Sequence, residues 1–125
     1  MNTRIIVAGS RTFDDFMLLT KTLDSYITAS KADKAEIEII CGGASGADSL
    51  GKKYANEKGY ASRVFLPEWK RYRRGAGDRR NLEMAKYANG AKGVLFAFWD
   101  GKSSGTKNMI SRAASLSLDI HIVKY

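Results

Sequence analysis

Three short runs rich in glycine and small polar residues each follow an apolar stretch: GSR at Gly9, Ser10 and Arg11, GGASGAD at 42–48, and WDGKSSGT at 99–106. A chain that leaves a strand, turns on glycines and opens a helix presents bare backbone N–H groups at the positive end of the helix, which suits an anion. In the second run Gly42, Gly43 and Gly46 permit the tight turn. Ser45 would offer a hydroxyl to a phosphate. Asp48, itself negative, would suit a ribose hydroxyl, a base amine or a metal, or would cap the helix that follows. Arg11 places a guanidinium capable of bidentate phosphate contact at the end of the first run, with a surface ion pair as the plainer alternative. Gly101, Ser103, Ser104, Gly105 and Thr106 form a further cradle, in which Ser104 could equally be a helix cap. Trp99, beside it, offers either a stacking face for a nucleobase or a packing partner for the next helix.

Positive charge is concentrated after the only proline: Lys70, Arg71, Arg73, Arg74, Arg79 and Arg80 crowd one segment. Arg80 and Asn81, beside the GAG at 75–77, are candidate ligand contacts, with a solvated basic loop as the plainer alternative. Lys70, Arg71, Arg73 and Arg74 read as an electropositive rim that attracts anions without specifying them. Trp69 and Tyr72, interleaved with these cations, would stack the bases of a single strand or simply pack. The acid or base candidates, chosen by location, are Asp48, Asp78, Glu83 and Asp100, of which Asp48 or Asp100 could serve as base or hold a magnesium ion brought in with a nucleotide. Cys41 reads as a small buried hydrophobe, and His121 is given no role.

A chain of 125 residues is one domain. Its 21 Lys plus Arg against 13 acidic residues give a net charge of +8, which favours phosphate-bearing partners. One cysteine excludes an intramolecular disulfide framework, and one cysteine with one histidine cannot build a zinc site, so no metal ligands are assigned. No apolar stretch is long enough for a bilayer, so no membrane partner is expected and the location is expected to be cytoplasmic.

These residues need elements to hold them. Apolar runs at 4–8, 36–41, 61–66, 93–99 and 119–124 read as five strands. Between them, apolar residues at helical spacing read as four helices. The first follows Asp14 and Asp15, the second covers about 48–58 and stops at Gly59, the third is capped by Asp78 with Leu82, Ala85 and Ala88 inward, and the fourth carries Thr106, Met109, Ile110, Ala113 and Ala114. A long basic loop precedes the third helix. This alternation predicts a single α/β, Rossmann-like three-layer domain over 1–125: a five-stranded parallel sheet with helices on both faces. The first and fourth strands, the most uniformly apolar, should be central, which gives the order 3-2-1-4-5. Ligands in such sheets bind beyond the carboxyl ends of the strands at the switch between those two, where all three glycine turns fall.

The ordered segments GSRTF (9–13), GGASGADSLGKKYA (42–55), PEWKRYRRGAGDRRNLEM (67–84) and FWDGKSSGTKNMI (98–110) resemble the SLOG superfamily, and within it the YspA-type branch related to YpsA. The resemblance spans nearly the whole chain. It implies a nucleotide or nucleotide-derived ligand such as ADP-ribose, NAD or a nucleoside phosphate, bound by a sensor, sequestering or processing protein. Arg80 and Asn81 match the Arg-Asn pair of that family. Among its better-known relatives, LOG phosphoribohydrolases use the glutamate of a PGGxGTxxE segment where this chain has Asn108, so their chemistry is not carried over. Asn108 could still hydrogen-bond a ribose or base. Two alternatives stay open: a hydrolase cleaving a glycosidic or phosphate bond through Asp48 or Asp100, and a DprA-like binder of single-stranded nucleic acid using the 69–80 segment. LOG relatives pair through helices, which implies a homo-oligomer.

Overall fold

Alternate side chains of the first strand, β1 (Thr3–Gly9), point to opposite faces, and both sets are apolar: Ile5 and Val7 on one side, Ile6 and Ala8 on the other. A strand of that composition needs cover on both faces, which parallel sheets obtain from crossover helices. The structure, a computed structural model, describes residues 2–125. In it β1 lies at the centre of one parallel sheet with β2 (Ile37–Cys41), β3 (Ala61–Val64), β4 (Lys92–Trp99) and β5 (Asp119–Lys124), in the order β3-β2-β1-β4-β5. Ile5 pairs in register with Ile39 on one side and Val94 on the other. The expected strand order and Rossmann-like class are both observed.

Helices α1 (Phe16–Ser30) and α2 (Ala47–Lys58) cover the Ile5 face, burying Leu19, Leu23 and Tyr54 against Phe96 and Phe98. Helices α4 (Ala76–Asn89) and α5 (Ser104–Ser115) cover the other, where Met84, Ala85 and Met109 meet Ile6, Ile40 and Leu95. Each fully buried Ile or Leu contributes about 1.5–3 kcal/mol. The Asp15 carboxylate caps α1, accepting from the Leu18 N–H at 3.0 Å. Gly59, at φ 77°, ends α2 in the left-handed conformation.

The segment after β3 departs from expectation. The strand stops at Val64 rather than reaching 66, because only the Phe65 N–H still pairs with β2, at the Cys41 carbonyl, before Leu66 and Pro67 turn away. The basic stretch is not an open loop. The Glu68 carbonyl accepts from both Arg71 and Tyr72 N–H at 3.0 Å, closing one helical turn, α3 (Trp69–Tyr72), and a 3-10 turn (Arg73–Gly75) leads directly into α4. Helix α4 therefore starts at Ala76, two residues before Asp78, which does not cap it. Leu82 is only half-buried, and Met84 fills the inward position instead. At α5 the capping residue is Ser103, not Ser104: its hydroxyl accepts from the Thr106 N–H at 3.5 Å.

Candidate nucleotide-binding cleft

The three glycine turns meet at the carboxyl edge of the sheet, and packing between their backbones explains several of the glycines. A Cβ on Gly9 would fall 2.8 Å from the Ala47 Cβ and 2.9 Å from the Phe98 carbonyl carbon. One on Gly46, which sits at φ +75°, would fall 2.6 Å from the Arg11 carbonyl carbon. Ser10 is 2 % exposed and ties the first turn to the third: its N–H donates to the Phe98 carbonyl at 3.0 Å, and its hydroxyl accepts from the Asp100 N–H at 3.1 Å. Gly9, Ser10 and Gly46 are thus the joinery of the edge. Gly101, at φ +82°, turns the chain just after β4.

The N–H groups of Gly42 and Ala44 face a carboxylate of the chain itself. The Asp48 carboxylate, on the first turn of α2, accepts from the Ala44 N–H at 3.2 Å and is assisted by the Gly42 N–H. Only 6 % of Asp48 is exposed, and burial raises its pKa against the opposing pull of those N–H groups, Arg80 and Arg11. Asp48 does not cap α2, whose capping position is Gly46. Ser45 is exposed on the outside of the turn, its hydroxyl 3.5 Å from the Arg11 carbonyl.

Above this floor lie three adjoining cavities of about 430, 70 and 710 Å³, and Arg11 and Arg80 line all of them. The first is walled by Gly42, Gly43, Ala44 and Ser45 on one side and by Leu66, Pro67 and Trp69 on the other. The smallest reaches down to Asp48, Asn81 and Thr106. The largest runs along Ser10, Arg74, Asp100, Ser103, Ser104, Gly105 and Asn108, with Trp69 again at its rim. The two larger have the size of a small-molecule site. Among the described residues no carboxylate comes within ion-pair distance of Arg11, so the surface ion pair is not formed. Arg80 is partly buried, donating through Nη1 to the Gly42 carbonyl and through Nε to Asn81 Oδ1 at 3.0 Å, and burial lowers its pKa while Asp48 opposes that shift.

Other candidates take different places. Trp99 does not line these cavities: its indole N–H donates to the Ser103 carbonyl at 3.0 Å, and the Lys124 ammonium lies 5.6 Å from its ring centre. It braces the third turn rather than offering a stacking face. Asp100 Oδ1 accepts from the Ser103 and Lys102 N–H groups at 2.8 Å each, which holds its pKa below the ordinary carboxylate value and suits it to shaping the turn more than to accepting a proton. Thr106 is 3 % exposed, with its hydroxyl 3.2 Å from Ser103 Oγ. Asn81 is 5 % exposed, and the amide of Asn108 is engaged at both ends inside the protein. Tyr72 is flanked by the Arg79 and Arg71 guanidinium groups, 4.1 and 5.0 Å from its ring centre. Cys41 is buried, and burial followed by the nearby Asp48 pushes its thiol up to about 11. His121 lies within β5, 3.1 Å from Asp119.

Sequence reasoning missed Leu66, Pro67 and Arg74 as cleft residues, and left Trp69 between a nucleic-acid strip and simple packing. The signal for Trp69 was its place: a large aromatic just after a proline, at the point where the edge strand must turn over the glycine loop. Among the described residues no three His, Cys, Asp or Glu side chains gather as a metal-holding group, and no helix is long and apolar enough to cross a membrane.

A parallel α/β sheet with its cleft at the switch between β1 and β4 defines a Rossmann-like domain. More narrowly, this chain belongs to the YspA, cpYpsA-related SLOG family, whose model matches residues 3–72. Among solved structures it is similar to the DNA processing protein A (DprA) from Streptococcus pneumoniae, with a TM-score of 0.69 and 16% sequence identity, over 98% of this chain and 50% of that one. The chain thus spans about half the length of that protein, and at this identity the likeness is one of fold. No curated protein sequence matches the chain.

Proposed function

We propose that this protein binds a nucleotide or nucleotide-derived ligand, of the ADP-ribose, NAD or nucleoside phosphate type, as a sensor, sequestering or processing protein. One observation carries the reading: Arg11 and Arg80 stand at the junction of three cavities, between an apolar wall of Leu66, Pro67 and Trp69 and the start of α5. Arg11, which forms no ion pair among the described residues, suits a phosphate. The neighbouring apolar wall suits a base, and buried Asp48, facing the smallest cavity, suits a sugar hydroxyl or a base amine. SLOG family membership supports the same ligand class.

The test is thermal shift and calorimetry with AMP, NAD, ADP-ribose and a short oligothymidylate, with and without magnesium, while mass spectrometry follows each ligand. Stabilisation by a small nucleotide, weakened about tenfold or more in Arg11→Ala, is the expected result. A mass change in the bound nucleotide would make the protein a processing enzyme. The reading is overturned if only the oligonucleotide binds, with affinity that falls steeply as salt rises and is unchanged in Arg11→Ala.

A further inference from the structure

A single file of side-chain hydrogen bonds runs from the outer surface of α5 to the cleft. Arg112 holds the Asp78 carboxylate from two nitrogens, at 2.7 and 2.6 Å. Asp78 Oδ1 accepts from Asn108 Nδ2 at 2.8 Å, Asn108 Oδ1 accepts from Asn81 Nδ2 at 2.8 Å, and Asn81 Oδ1 accepts from Arg80 Nε at 3.0 Å. We propose that Asp78 and Asn108 are positioning residues that set the guanidinium of Arg80 through this relay. The inference rests on the nucleotide reading of the cleft for its consequence, though not for its geometry.

The two ends of the relay dictate its direction. A carboxylate can only accept and a guanidinium can only donate. Asp78 therefore draws the NH₂ of Asn108, which leaves the Asn108 oxygen for Asn81 and the Asn81 oxygen for Arg80. Turning over the Asn81 amide would set two donors face to face at Arg80 and strand an oxygen against the Gly105 carbonyl, now 3.3 Å from Nδ2. Asn81 is 5 % exposed, so such a mismatch would be largely buried and costly. With Nε tied to Asn81 and Nη1 to the Gly42 carbonyl, Arg80 keeps its Nη2 edge for a ligand. Removing the link at Asn108 leaves the Asn81 amide oriented only by its longer bond to the Gly105 carbonyl, which loosens its hold on the guanidinium.

Two readouts test this in the full chain. In nitrogen-15 NMR without ligand, the Arg80 Nε–H signal should be slow to exchange in the wild type and should broaden in Asn108→Leu. Asp78→Ser, at a more exposed position, gives a second variant if the first folds poorly. Calorimetry with ADP-ribose should then show affinity reduced about threefold to tenfold in Asn108→Leu, with no further loss when it is added to Arg80→Ala. An unchanged Arg80 signal in both variants overturns the relay, as does an additive loss in the double variant. A changed signal with ADP-ribose binding indifferent even to Arg80→Ala upholds the relay and overturns the ligand reading instead.

Discussion

Gly42→Ala separates steric control of the cleft from stability of the fold. Gly42 lies outside the left-handed region, so alanine meets no backbone penalty there, and the cost is one of contact. The added Cβ would stand 2.8 Å from Arg80 Cζ and 2.8 Å from Asp48 Oδ2, where carbon and its neighbours settle at about 3.5–4.0 Å. Asp48 is held inside the loop by the Ala44 N–H, so Arg80, at the end of a long side chain, is the group that yields. Its departure forfeits the bonds to the Gly42 carbonyl and Asn81, but the freed guanidinium regains water. The net loss of stability is therefore only about 1–2 kcal/mol, the lower part of the overpacking range. Ligand binding loses a charge-assisted contact of about 1.5–3 kcal/mol, a weakening of roughly 10- to 150-fold in Kd. Chemical denaturation and calorimetry with ADP-ribose measure the two effects on the same protein. Arg80→Ala should reproduce the affinity loss, and the double variant should be no worse than Arg80→Ala alone. Binding at wild-type strength in a folded Gly42→Ala would refute the placement of Arg80 at the ligand.

Gly51→Ala should destabilise the fold by about 1–3 kcal/mol in urea unfolding, because its Cβ would meet the Val7 Cβ at 2.8 Å where α2 lies on β1. The same change at Gly105, with nothing within 4 Å, should leave stability unchanged or raised. Cys41, with its thiol moved from 9.0 to about 11, should carry about 100-fold less thiolate at pH 8 than an unfolded chain. Alkylation monitored by mass spectrometry should be slower in the native protein by at least that factor, and rapid native labelling would contradict its burial. Arg112 and Asn108 hold the Asp78 carboxyl below its ordinary 3.8, so it stabilises the fold at pH values above 3.8 and that contribution disappears as pH falls through the lowered native value. The stability gap between wild type and Asp78→Ala in urea unfolding should accordingly be constant near neutrality and shrink in acid.

Strand order was legible because uniform apolarity in 4–8 and 93–99 has one physical meaning, burial on both faces, and the crossover rule leaves little choice after that. The place of the cleft followed from the same logic. Pairings across helices were not legible: Asp78, Asn108 and Arg112 meet only because α4 and α5 lie side by side, and no local pattern encodes that neighbour. Trp99 shows the limit from another direction. A terminal aromatic on a central strand reads as a stacking surface, yet whether its indole finds the Ser103 carbonyl depends on the course of the third turn.

The three glycine turns, alike as sequence, have different work in the fold. In the first, absence of a side chain lets β1 and β4 approach α2 at Gly9. The second wraps its N–H groups around Asp48, and an external phosphate would have to displace a carboxyl group held there by those N–H groups and by Arg80 against the cost of burial. The third ends at the first turn of α5, where Ser104 and Gly105 line the largest cavity together with Arg11, Arg74 and Arg80. If the ligand is a nucleotide, Asp48 would disfavour its phosphate at the second run, and Arg74, which among the three cavities lines only the largest, would offset Asp78 and Asp100 there and draw the phosphate toward α5. The glycine-rich run that most resembles a phosphate cradle would thereby suit the neutral, hydroxyl-bearing part of such a ligand.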